Sequence, residues 1–205
     1  MSGARRAASA FALAIALGAG AVSGVFVART LSQRAFEQSG RTVNGWMVND
    51  RYGRFGDDHL LRTAAALNML GANWAEESLY FYAARDGDGR ALDGRSNYVL
   101  HFARNSLPPA NAFWSLTIVG ADDLMLTENE IGRYAIGDRT KGVVRNEDGS
   151  LDIYIQHNQP EAGASNWLPC PARPFHVILR LYEPGKDALK GSWEPPRIMR
   201  RDTLA

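Results

Sequence analysis

The chain has 205 residues, 45% hydrophobic and 22% charged, a balance that excludes a disordered or fibrous chain. That length suits one ordinary domain of about 150 residues plus an appendage and argues against two full domains. Net charge is +1, but residues 1–29 hold Arg5, Arg6, Arg29 and no acid, so the other 176 residues carry 20 basic against 22 acidic groups. Such a body lacks the basic surface that nucleic-acid binding requires.

Ala7 to Ala28 contains no charge and nothing more polar than Ser9 and Ser23. As a helix it would span roughly 33 Å, about the thickness of the hydrocarbon core of a bilayer. Two readings compete. A cleaved signal peptide needs only about 7–15 apolar residues before a small-x-small site, which Ala19-Gly20-Ala21 would supply. An uncleaved anchor uses the whole run, and the continuation through Val25-Phe26-Val27 favours it. Either way the body crosses the membrane. The expected location is the inner membrane, single-pass, with the C-terminal domain facing the periplasm; secretion after cleavage is the alternative. Arg5 and Arg6 on one side against Arg29, Arg34 and Arg41 on the other leave the charge rule undecided. The short tail is placed inside because long domains translocate with little regard for nearby charge.

The domain plan is residues 1–29 anchor, 30–56 linker, 57–77 helical lead-in, 78–197 β-sandwich and 198–205 tail, with the polar segment Leu31 to Arg41 either linker or a helical extension of the anchor. Asp57 or Asp58 can cap a helix running to Leu70, because Leu60, Leu61, Ala64, Ala65, Leu67 and Leu70 recur at helical spacing. Gly71 then sits where a left-handed terminal residue is wanted. From Ser78 the period drops to two: Leu79, Phe81 and Ala83 alternate with Tyr80, Tyr82 and Ala84. Asp86-Gly87-Asp88-Gly89 is turn chemistry. Tyr98 to Ala103 and Phe113 to Val119 are further strands; Leu124, Leu126 and Arg133–Ile136 are shorter candidates. Val143-Val144 and Leu151–Gln156 flank Asn146-Glu147-Asp148-Gly149 as an expected hairpin. Phe175 to Tyr182 places Phe175, Val177, Leu179 and Leu181 on one face and His176, Ile178, Arg180 and Tyr182 on the other. Seven or eight short strands without intervening helices favour an antiparallel sandwich or jelly roll.

Several segments occur in a distinctive order: Leu107-Pro108-Pro109 with Phe113-Trp114-Ser115-Leu116-Thr117, then Asn166-Trp167-Leu168-Pro169, Phe175 with Leu179-Arg180-Leu181-Tyr182, and Trp193-Glu194-Pro195-Pro196. Together with Asp86, Gly89, Leu92, Gly94 and Tyr98 they resemble the bacterial family known as domain of unknown function 1214, over roughly residues 75–197. The resemblance implies a mostly antiparallel β-sandwich of jelly-roll type. Longer members carry a second domain upstream, where this chain has an anchor and a short helical region. Ile118-Val119-Gly120 departs from the family's aromatic and acid after the strand. The family supplies no settled activity.

Candidate chemistry is sparse. Cys170 is a lone cysteine between Pro169 and Pro171, so no intrachain disulfide exists and a structural role is expected. His59, His101, His157 and His176 show no zinc-helix spacing, and no metal or cofactor is expected. His101 and His176 would converge only if their strands were neighbours. Asp86, Asp88 and Asp93 superficially resemble a calcium loop, but Arg90 and Asn97 stand at liganding positions, which makes a turn the better reading. Ser115 lacks a nucleophile-elbow context. Asp122, Asp123, Glu128 and Glu130 form an acidic stretch that reads as a solvated loop.

What remains is an aromatic and amide set. Trp114, Tyr134, Asn166, Trp167, Arg180, Tyr182 and His101 are the candidate ligand-binding residues, since aromatic faces stack on rings or apolar ligands while Asn and Arg give directed hydrogen bonds. The competing expectation is that Trp167 plugs the sheet, Asn166 ties down backbone, and Arg180 pairs with an acid. The expected function is an envelope-anchored binding protein for an unknown ligand or envelope protein; the alternative is a hydrolase or lyase on an envelope glycan or lipid, using carboxylates or His101.

Overall fold

The computed structural model describes residues 2–69 and 71–201, with side chains from Ser9 onward. It is mainly β, in two sheets, with a long apolar helix at the N-terminus and a smaller helix between the second and third strands. The elements are α1 (Ser2–Ser39), β1 (Arg41–Val43), β2 (Trp46–Val48), α2 (His59–Asn68), β3 (Ser78–Ala83), β4 (Asn97–Phe102), β5 (Ala110–Gly120), β6 (Ala135–Gly137), β7 (Leu151–Gln156), β8 (Trp167–Pro169), β9 (Phe175–Pro184), α3 (Lys186–Leu189) and β10 (Ile198–Arg201).

One sheet has the order β1-β2-β3-β9-β5-β6 and the other β10-β4-β7-β8. Period-two alternation explains their contact. Leu79 and Phe81 of β3, Leu116 and Ile118 of β5, and Val177, Leu179 and Leu181 of β9 face Leu100 and Phe102 of β4 and Ile153 and Ile155 of β7 in one core. All pairings are antiparallel except β7–β8, which is parallel. The reason is local: β8 is only three residues long and enters beside β7 from the loop holding Asn166, not from a tight turn.

The opposite face of the six-stranded sheet carries a second core. Tyr80, Val119 and Ile178 meet Leu61, Ala64, Ala65 and Met69 from the α2 region and Phe36 from α1. Asp58 caps α2 as expected, its Oδ1 accepting from the Leu61 N–H at 2.9 Å. Gly71 follows at φ +80°, a conformation open to glycine because it has no Cβ. Leu70, the expected last helical residue, lies outside the described residues.

Several expectations need correction. Residues 30–56 are more than a linker. They hold the buried end of α1 and the β1–β2 hairpin, whose Trp46 is fully buried and donates to the Pro196 carbonyl at 2.8 Å. Residues 198–201 of the expected tail form β10 and pair with β4. Leu124 and Leu126 lie in a loop. The expected hairpin has its turn, closed from the Asn146 N–H to the Ser150 carbonyl, but no strand forms at Val143-Val144. The Asn166 side chain binds Val144 in a partner strand's stead.

Residues quoted for the family resemblance build turns. Asp86 Oδ1 accepts from the N–H groups of Asp88 and Arg90. The Tyr98 hydroxyl accepts from the Asp93 N–H and donates to the Asp93 carbonyl. A Cβ on Gly94 would collide with the Pro171 carbonyl oxygen, so that close approach requires glycine.

Candidate functional site

The outward residues of β9 lie on the helix-covered face of the sheet: His176, Ile178, Arg180 and Tyr182. The end of α1 and α2 cover the middle of that face, over Tyr82, Tyr80 and Ile178. Grooves remain on both sides.

The larger groove, about 600 Å³, runs between the C-terminal end of α2 and the sheet. Its floor is Tyr80, Ile178, Arg180, Tyr182 and Val119; Leu67 and Met69 form one wall, and Leu124 and Met125 form the other. Asn68 and Asn73 add amides. Arg180 is the cation of this groove. Its Nη1 donates to Thr117 Oγ1 at 2.9 Å across the β5–β9 pair. The expected acid partner is absent: among the described residues no carboxylate lies within ion-pair reach of Arg180. The one acid lining the groove among the described residues, Asp123, is already bound to Arg173, which also pairs with Asp122. A guanidinium has five N–H donors in a planar fork, so most of Arg180's hydrogen-bonding capacity is unused by these contacts. Beyond Arg180, Tyr182 stacks on Phe113 at 4.2 Å, and Arg139 lies over Phe113 at 4.1 Å.

The second groove, about 410 Å³, lies between α1 and the sheet. The Tyr82 hydroxyl and His176 Nδ1 are 2.6 Å apart. Burial holds the His176 imidazole below its usual value and pushes the Tyr82 phenol up, so both groups are neutral and share one hydrogen bond whose donor is set by the imidazole tautomer. Phe36 packs edge-on against Tyr82, and Glu37 and Arg85 line the same space.

The candidate residues do not gather at one place. Arg180 and Tyr182 share the larger groove. Trp114 lies in the inter-sheet core beside Phe102. Trp167 is 0% exposed, and its Nε1 donates to the Gln156 carbonyl at 2.9 Å. The Asn166 amide makes both hydrogen bonds of a peptide group with Val144, at 2.9 and 2.7 Å. Arg133 clamps the same loop by donating to the carbonyls of Ala164, Ser165 and Trp167. Tyr134, next to it, is exposed. His101 pairs with Asp152 at 2.6 Å on the four-stranded sheet. It cannot converge with His176, which belongs to the other sheet. Burial pushes the Cys170 thiol up to about 12, leaving almost no thiolate near neutral pH.

Sequence reasoning did not find Met69, Leu124 and Met125 as groove walls, Tyr80 as part of its floor, or the Tyr82–His176 pair. Alternation had put Tyr80, Tyr82, His176 and Arg180 on the outward faces of their strands. The placement of α2 over that face was the missing element.

Fold and site together define a two-sheet β protein with a helix-roofed groove on one sheet and an apolar N-terminal helix. The chain belongs to the family described as Protein of unknown function (DUF1214), which it matches over residues 77–186. Among solved structures it is similar to the VPA0106 protein from Vibrio parahaemolyticus, at 26% identity and a TM-score of 0.60, covering 89% of this chain and 44% of that one. A putative uncharacterized protein from Burkholderia cenocepacia matches at 19% identity and a TM-score of 0.41, covering 90% of this chain and 52% of that one. The chain thus spans about half the length of these structures. No curated protein matches.

Proposed function

We propose that the protein is a membrane-tethered binding module whose ligand occupies the groove between α2 and the outer face of β9. The observation that carries this reading is Arg180: a cation on a covered sheet face, bonded among the described residues only to a hydroxyl, lining a groove of about 600 Å³. Cavities of this size lined by apolar groups with a few directed polar ones are typical of small-molecule sites. The tether is α1. Among the described residues it is the one helix long and apolar enough to cross a membrane. Its far end does not fray into a linker, because Ser32 and Phe36 are buried against the body. That continuity favours an uncleaved anchor with the body outside the cytoplasm. For the sandwich itself, the non-consecutive neighbours β3-β9-β5 and β10-β4-β7 support the jelly-roll type, because chains that cross repeatedly between two sheets produce such orders.

The test is native mass spectrometry of the full chain extracted from membranes in mild detergent. The parent carries a small-molecule adduct, and Leu67→Trp, which fills the groove from its rim, loses it. An empty parent, or an equally loaded variant, refutes the reading.

The Tyr82–His176 hydrogen bond favours a second reading, a hydrolase or lyase, since a phenol poised on a neutral imidazole can relay a proton. That pair sits in the groove beside α1, away from Arg180. His101, the acid–base group expected for this reading, is bound to Asp152 on the other sheet.

A further inference from the structure

We infer that the ligand of the Arg180 groove is a single-chain anionic amphiphile taken from the bilayer, with its acid group on Arg180 and its hydrocarbon along Leu67, Met69, Leu124 and Met125. This rests on the binding reading above and adds the chemical class and the source.

The class follows from the lining. Among the described residues the groove has one cation without an acid partner, and the one carboxylate lining it, Asp123, is paired with Arg173, a cation it shares with Asp122. A cationic or zwitterionic ligand would bring a positive group to Arg180 with no free acid nearby. A carboxylate accepts two parallel N–H bonds from a guanidinium, a geometry that the unused part of the Arg180 fork offers. Most of the remaining wall is aliphatic or thioether. Methionine adapts to chains of irregular shape, and Met69 and Met125 stand on opposite walls. A ligand that were only a small anion would leave that apolar length wet.

The source follows from the tether. The apolar run ends near Ala28, while Ser32 and Phe36 are already buried in the body. At 1.5 Å per residue the two residues lie about 6 and 12 Å beyond the run, Ser32 within the headgroup layer of about 5–8 Å and Phe36 just outside it. The α2 helix packs against that end of α1. Leu60 and Leu67, seven residues apart on α2, are exposed, as is Trp74 just after it. An apolar stripe and an aromatic beside the membrane-proximal end of α1 suit a bilayer interface. Leu67 belongs both to this exposed stripe and to the groove wall, so it joins the groove to the surface a lipid would leave.

The test uses the full chain in phosphatidylcholine nanodiscs containing a few per cent of a photoactivatable hexadecanoic acid. Parallel samples contain its methyl ester, or a water-soluble photoactivatable pentanoic acid added from solution. Cross-linked peptides are mapped by mass spectrometry. The long acid should label peptides holding Leu67, Met69 or Met125, with the ester and the short acid labelling them about tenfold less or weaker still, as expected when a charged hydrogen-bonded pair or most of the buried chain is lost. Arg180→Gln should lose the labelling by the acid, and Arg180→Lys should recover part of it. Equal labelling by acid and ester, or by parent and Arg180→Gln, overturns the anionic class while leaving the groove as a binding site. Equal labelling by the short acid overturns the bilayer as source. Labelling of the groove by none of the probes overturns this inference together with the reading beneath it. Should Arg180→Gln fail to fold, the acid-to-ester ratio on the parent decides alone.

Discussion

Trp167→Ala separates a structural loop from a binding loop in the Asn166-Trp167-Leu168-Pro169 segment. The indole is fully buried in strand β8, under the Arg133 clamp. Two losses add up on truncation. The larger is the cavity and lost burial, which for a core Trp costs about 3–5 kcal/mol. The smaller is the Nε1–H bond to the Gln156 carbonyl. That carbonyl still accepts from the Cys170 N–H at 3.1 Å, so it is not stranded and the extra cost stays near the low end of about 0.5–1.5 kcal/mol. For a domain of this size each kcal/mol lowers the melting temperature by about 2–4 °C, so the combined loss of about 3.5–5.5 kcal/mol should lower it by roughly 7–22 °C. Asn166→Ala should cost about 1–3 kcal/mol, because it leaves the N–H and carbonyl of Val144 without their partners. Near-ultraviolet circular dichroism melts of the full chain in detergent read both. If Trp167→Ala melts within a degree or two of the parent, the plug argument is wrong and the loop becomes a candidate binding surface.

Two further predictions concern pH and topology. The folded His176 imidazole titrates below its ordinary 6.5, so the unfolded chain binds more protons in the window between the two values. Stability is therefore complete above about pH 6.5 and is lost as pH falls through that window. The groups facing it are Tyr82 on β3, Glu37 on α1 and Arg85 after β3. The drop in melting temperature from pH 7.5 to 5.5 should be smaller in His176→Gln than in the parent, and an equal drop refutes the assignment. Separately, alkaline phosphatase fused after Ala205 should be active, since it works only outside the cytoplasm; a stable but inactive fusion contradicts the proposed topology.

Legibility followed element length and one-sidedness. β3, β4, β5, β7 and β9 run six to eleven residues, long enough for alternation to show. β1, β2, β8 and β10 have three or four residues, too few to display a period, and β2 and β10 also pair with strands far along the chain, β3 and β4. Trp46, inside the expected linker, is the clearest miss. A fully buried indole that bonds to Pro196, 150 residues away, has no local signature. Asn166 was readable as a backbone tie because an amide beside a Trp-Leu-Pro run suits a buried loop, though its partner Val144 was assigned to a strand. The groove was half legible. The outward set on β9 could be named from alternation, whereas its roof depended on where α2 and Phe36 pack, and nothing in the helical spacing says which sheet face a helix covers.

That outward set is also where folding and function part. β9 lies near the middle of the six-stranded sheet and is covered on both sides, by the second sheet and by α1 with α2. Its inward residues Val177, Leu179 and Leu181 are what such a strand calls for. On the other face only Ile178 is aliphatic, between His176 and Arg180. Moving a cation or an imidazole out of water costs free energy unless a partner compensates, and an aliphatic side chain at either position would pack without that cost. Arg180 has a single hydroxyl as compensation and His176 a single phenol. Departures from the locally favoured choice, confined to one face of one strand and each opening into a groove, are expected where a site has been kept at the expense of stability. The same comparison ranks the residues. Trp167 and Asn166 have their buried polar groups satisfied by the fold, whereas half-buried Arg180 keeps guanidinium donors that Thr117 does not occupy.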